Sequence, residues 1–155
     1  MIVDMAEQEE QKLLSKKTTN MFKFVIMNVK EEINMTKYKL LAIDIYEWCK
    51  KHDLWGDNII YFDGVAWSNS ETWAGEKGKK IAEDLYEYED RNPRDYFEYA
   101  NPETLSMSFE GGLNHVLNGY TAYSWRLEEE FSKLFKKYGL YYELGHSWNL
   151  SAYEI

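Results

Sequence analysis

The chain has a single cysteine, Cys49, so no disulfide framework can form within it. Only 2 prolines and 9 glycines occur among 155 residues, and there is no internal repeat or low-complexity tract. Long apolar runs are missing too. The best, Phe24-Val25-Ile26-Met27, is bounded by Lys23 and Asn28, far short of the ~18 consecutive apolar residues of a membrane span. The first residues lack the charge-then-apolar order of a signal peptide: Glu7, Glu9 and Glu10 precede Lys12, Lys16 and Lys17. With one cysteine and no export pattern, a cytoplasmic location is expected and no membrane partner. Basic excess is also absent. Lys and Arg number 18 against 27 Asp and Glu, a formal net charge of −9, which speaks against a free-standing protein that neutralises phosphates. Direct binding to duplex DNA is not expected.

What is present is a core and many rings. Apolar residues make up 45% of the chain and aromatics 17%, with 6 Trp, 13 Tyr and 7 Phe. An acidic disordered segment is poor in such residues. The length suits one domain. We expect residues 1–20 to be a flexible or loosely attached helical extension and residues 21–155 to form a single domain. The acidity is local. Residues 1–58 hold 10 acidic and 9 basic side chains, whereas residues 59–155 hold 17 and 9.

Apolar spacing predicts two main helices. The first, residues 37–52, places Tyr38, Leu41, Ile45, Trp48 and His52 on one face, with Thr36 as N-cap. The second, residues 125–138, places Leu127, Phe131, Leu134, Phe135 and Tyr138 on one stripe after a cap at Ser124. Glu128–Glu130 open it, Lys133, Lys136 and Lys137 close it, and Gly139 suits its C′ position. Strands are shorter. Ile59–Phe62 and Val65–Trp67 flank Asp63-Gly64, a pair suited to a type I′ turn. Residues 84–88 and 104–109 alternate, and residues 140–144 and 149–153 read as a closing hairpin. A short helix is expected near residues 111–118. The fold class that follows is α+β: a mainly antiparallel sheet of five or six short strands, with the two main helices packed on one face.

No motif states an activity. His52, His115 and His146 have no metal-ligand spacing, no Cys-x-x-Cys exists, and no Gly-x-Ser-x-Gly elbow surrounds a serine. Neither a metal nor another cofactor is expected. Glu110 and His115 flank Gly111-Gly112, where a carboxylate and an imidazole could do acid–base work as a small nuclease or hydrolase. The plainer reading is a strand-to-helix turn. Cys49 lies near an apolar stripe and reads as a small buried hydrophobe. The strongest feature is the acidic-aromatic block at 83–103. Glu83, Asp84, Glu87, Glu89, Asp90, Asp95, Glu98 and Glu103 interleave there with Tyr96, Tyr99 and other rings. The expected partner-binding set is Glu83, Asp84, Glu87, Glu89, Asp90, Asp95, Tyr96, Glu98 and Tyr99. Such a surface repels nucleic acid and attracts the basic grooves that bind it. A solvated face that keeps the chain soluble is the alternative.

Several stretches carry a resemblance. They include Trp55-Gly56-Asp57-Asn58 with Ile60-Tyr61-Phe62, and Asn92-Pro93-Arg94-Asp95-Tyr96-Phe97-Glu98-Tyr99-Ala100-Asn101-Pro102. Ser106-Met107-Ser108-Phe109-Glu110-Gly111 and Tyr138-Gly139-Leu140-Tyr141-Tyr142-Glu143-Leu144-Gly145 continue it. Across residues 55–155 the chain resembles small acidic accessory proteins of phages, plasmids and integrative elements of Firmicutes. Such elements also carry inhibitors of host defence, among them type II-A anti-CRISPR proteins. The resemblance implies a mobile-element inhibitor whose partner is a type II CRISPR effector nuclease, with or without its guide RNA. A non-catalytic accessory or regulatory role in the element is the other implication. No catalytic set comes with the resemblance.

Overall fold

The computed structural model describes residues 35–155 together with Gln8, and a compact unit spans Lys37–Ile155. Apart from Gln8, the expected extension at 1–20 and the first part of the expected domain lie outside the described residues.

The unit begins with helix α1 (Lys37–Lys51). Strands β1 (Asn58–Phe62) and β2 (Val65–Ser68) follow. Asp63 and Gly64 between them both take positive φ, 48° and 78°, as a type I′ turn requires. A two-stranded ribbon comes next, β3 (Thr72–Trp73) with β4 (Glu76–Lys77), then β5 (Lys79–Ala82) and β6 (Leu85–Tyr88). One 3-10 turn, Pro93–Asp95, leads to β7 (Leu105–Phe109). Helices α2 (Gly112–Leu117) and α3 (Ser124–Lys136) precede the closing hairpin of β8 (Leu140–Leu144) and β9 (Asn149–Glu154).

The main sheet is wholly antiparallel in the order β5-β6-β2-β1-β7-β9-β8. The fold is therefore α+β, as read, but the described residues hold seven strands in the sheet, the extra ribbon and three α-helices. The expectation of five or six strands falls short at β5. Its Lys79-Lys80-Ile81-Ala82 is largely exposed and its register shifts against β6, so it lacks the alternation that marks a half-buried strand.

Period-two alternation divides the sheet into two faces. Ile60, Phe62, Trp67, Leu85, Leu105, Met107, Phe109 and Leu150 join the main core with Leu41, Ile45 and Cys49 of α1, Leu113 of α2 and Phe131 and Phe135 of α3. All three helices thus cover one face. The other face holds a second cluster of Tyr61, Ala66, Tyr88, Phe97 and Ala100, with Trp73 and Trp148 against it. The ribbon and the segment 89–104 supply its cover. A buried polar node pins that segment. Asn101 N–H faces the hydroxyls of Ser106 and Ser151 at 3.0 and 3.1 Å, and these two lie 2.8 Å apart. Thr104 Oγ1 donates to the Ala152 carbonyl at 2.6 Å.

The helices depart from the sequence reading at their ends. Ser124 is the first residue of α3 rather than its cap. Tyr123 takes the N-cap position in the left-handed region, at φ 64°, and Ser124 Oγ donates back to the Thr121 carbonyl. His52 follows α1 and sits against Trp48, its Nε2 3.4 Å from Glu130 Oε2 of α3.

Candidate interaction surface

The nine residues expected to bind a partner fall in two places. Glu83 and Asp84 form the β5–β6 turn, where Asp84 pairs with Lys50 at 3.2 Å and its carbonyl accepts from Trp55 Nε1. Glu87 lies within β6 and accepts from Trp67 Nε1 at 3.0 Å. The Asp84 and Glu87 side chains are thus engaged within the fold, whereas Glu83 is exposed and gives only its carbonyl, which accepts from the Tyr46 hydroxyl. Glu89, Asp90, Asp95, Tyr96, Glu98 and Tyr99 instead share the segment beyond β6, and all six are exposed.

That segment shows its carboxylates to solvent and turns one of its two arginines, Arg91, against the fold. Pro93, Phe97 and Ala100 are buried and anchor it to the outer face of the sheet. Asn92 caps the 3-10 turn by accepting from Arg94 N–H. Arg91 turns inward. Its guanidinium pairs with Glu76 at 2.6 Å and lies over the rings of Trp73 and Tyr88, and the Glu76 carboxylate raises its pKa above the usual arginine value. Arg94 donates through Nε to the Ala100 carbonyl. No ion pair involves Glu89, Asp90, Asp95 or Glu98 among the described residues.

The two exposed tyrosines differ. Tyr96 stacks on Tyr61 with centroids 5.6 Å apart and leans on Trp73, so its ring is already positioned. Burial holds the Tyr61 phenol well above its usual pKa range. Tyr99 is 73% exposed at φ 64°, and its one ring neighbour among the described residues is His146, at 6.4 Å.

A second exposed group was not singled out by the charge pattern. Tyr120, Tyr123 and Trp125 lie at the turn between α2 and α3, all more than half exposed, and Arg126 lies over both the Tyr123 and Trp125 rings. Residues 111–127 contain no Asp or Glu, so a search for acidic blocks passes over them. The signal that finds them is the placement of three large rings beside Gly119, outside the stripe of either helix.

The enzyme reading names Glu110, just after β7, and His115, within α2. Glu110 donates its N–H to the Asp57 carbonyl and lines a cleft with it. His115 stands on α2 with its ring against Tyr120, and no hydrogen bond joins it to Glu110 among the described residues. No group of three or more His, Cys, Asp or Glu could hold a metal ion among the described residues, and no helix there is long and apolar enough to cross a membrane. Cys49 is buried, and burial pushes its thiol pKa up to about 12, the state of an inert core residue.

Comparison with protein-family models, with curated proteins and with solved structures finds no match for this chain.

Proposed function

We propose that this protein is a non-catalytic binding protein of a mobile element that inhibits a host-defence nuclease. Its partner is a type II CRISPR effector, as the resemblance implies, and the contact is made by the acidic-aromatic segment 89–99. The observation that carries this reading is the arrangement of charge there. Four carboxylates face solvent without an ion-pair partner among the described residues, while Arg91 is turned onto Glu76 and Arg94, though exposed, gives its Nε to the Ala100 carbonyl. Such a face suits a basic groove that otherwise holds guide RNA or target DNA. Tyr96 and Tyr99 supply ring area at the centre of the acidic rim, the residue type that dominates binding energy at interfaces. Asp84 and Glu87 are left out of the contact because Lys50 and Trp67 engage their carboxylates, and Glu83 because it lies in the β5–β6 turn, outside the segment.

The test uses the purified full chain and a type II effector, with and without guide RNA, measured by surface plasmon resonance at several salt concentrations. Reversing Asp90, Asp95 and Glu98 to Lys together lowers the association rate by at least about tenfold at low salt and flattens its salt dependence. Reversing Glu83 leaves affinity within about twofold. Unchanged kinetics in the triple variant would move the contact elsewhere. No binding to any type II effector at low salt would remove the reading.

A further inference from the structure

The main sheet ends in two edge strands among the described residues, and they are built differently. Strand β5 carries Lys79 and Lys80 and shifts its register against β6. Lysines and a broken register are devices that keep an edge from pairing with another chain. Strand β8 has neither. It pairs with β9 without interruption from Leu140 to Leu144, and its one charged residue is Glu143. Its Tyr141 and Leu144 are each 39% exposed.

The ladder fixes which groups this edge presents. Ile155 N–H donates to the Gly139 carbonyl at 3.0 Å, and Gly145 N–H donates to the Asn149 carbonyl at 3.1 Å. Bonding alternates along an antiparallel strand. Gly139, Tyr141, Glu143 and Gly145 therefore bond toward β9, while Leu140, Tyr142 and Leu144 turn their N–H and C=O groups outward.

We infer that β8 pairs antiparallel with β8 of a second copy of this chain, about a two-fold axis at Tyr142, to form one sheet across two chains. A two-fold contact must be complementary to itself, and this register is. Tyr142 exchanges bonds with its own copy, and Leu140 exchanges them with the second copy's Leu144, so all three outward residues are used. On the core face every opposed pair is then apolar, and on the outer face Tyr141 stands opposite Glu143. Moving the axis to Glu143 would oppose two carboxylates, which costs stability. Moving it to Tyr141 would leave Leu144 facing Tyr138, outside the strand.

Charge on the neighbouring helix agrees. The Ser132 hydroxyl and the Glu128 carboxylate of α3 lie beside the Tyr142 phenol. Glu128, Ser132 and Lys136 form one row at steps of four. The same axis runs that row against itself in reverse, which brings Glu128 toward the second copy's Lys136. Neither side chain has an ion-pair partner among the described residues. This inference goes beyond the reading above and stands without it.

Sedimentation velocity of the full chain across micromolar concentrations tests it, with a monomer–dimer equilibrium expected. Leu144→Lys gives β8 the lysine that β5 already has and weakens the dimer at least about tenfold, whereas Ile81→Lys on β5 leaves it within about twofold. Circular dichroism checks that both variants are folded. The register is read by disulfide trapping. Tyr141→Cys and Glu143→Cys variants, mixed and mildly oxidised, form a cross-linked dimer. Either variant alone cross-links several-fold less, because like positions lie diagonally, beyond disulfide reach. Buried Cys49 leaves the parent as a clean control. A monomer at every concentration, a dimer indifferent to Leu144→Lys or weakened equally by Ile81→Lys, or equal cross-linking in the single variants and the mixture would each overturn the assignment.

Discussion

Phe97→Ala separates what holds segment 89–99 in place from what it offers to a partner. Phe97 is 6% exposed and meets Tyr61 and Trp148 edge to face, with centroids 6.0 and 5.8 Å apart. Truncating a buried Phe to Ala costs about 3–5 kcal/mol through lost transfer energy and the cavity left behind. The site lies under a surface segment that can settle into the gap, so the low end, about 3 kcal/mol, is expected. Melting entropy is roughly 2.1 cal/mol/K per residue, or about 0.25 kcal/mol/K for a unit of this size, which converts that loss into a fall of about 12 °C in Tm. Differential scanning calorimetry reads this directly. Hydrogen exchange should also show the amides of 93–101 opening before those of β7. Tyr99→Ala is the counterpart: at 73% exposure it should change stability by less than about 0.5 kcal/mol while weakening partner binding. A loss below about 1 kcal/mol in Phe97→Ala would refute the claim that this ring anchors the segment.

Other outcomes follow from the same structure. Cys49 keeps its proton up to about pH 12 in the folded chain, above its unfolded value, so the folded state binds more protons between pH 9 and 12. Its contribution is complete below pH 9 and is lost as pH rises, by about 1.4 kcal/mol per unit, and urea titrations of Cys49→Ser against the parent isolate it. Gly111→Ala should destabilise by about 1–3 kcal/mol, because its Cβ meets the Gly56 carbonyl oxygen, and a thermal melt checks it. Ser106→Ala removes one hydroxyl of the node on Asn101 N–H, and a cost of about 1 kcal/mol is expected in chemical unfolding, since Ser151 remains as a partner.

Elements whose pattern is local were legible before the structure. The stripe through Leu41, Ile45 and Trp48, the Asp63-Gly64 turn, and the alternation of Leu105, Met107 and Phe109 all found their expected places. What escaped depends on partners distant in sequence. The β3–β4 ribbon is two residues a side and carries no periodicity, yet its Trp73 covers the outer face of the sheet. The acidic block read as one surface because charge was counted along the chain. Strand β6 runs through it, and one end of that strand meets Lys50 while the other leads to the exposed segment. The bond from Glu110 N–H to the Asp57 carbonyl was equally hidden, since it continues the β1–β7 pairing by one residue.

That pairing also bears on how the chain finds its structure. The strands from β1 to β6 are joined by sequential connections, apart from the β2–β6 contact that spans the ribbon, and β8–β9 closes as its own hairpin. Strand β7 alone links these two halves, pairing with β1 on one side and β9 on the other. Each half can form by short loop closures, whereas seating β7 requires closing a much longer loop and pays that entropy before its contacts repay it. Insertion of β7 is therefore expected to be the slow step of folding, which stopped-flow refolding of single-site variants checks. Met107→Ala should retard refolding, while truncation of Tyr142 on the outermost strand should mainly hasten unfolding.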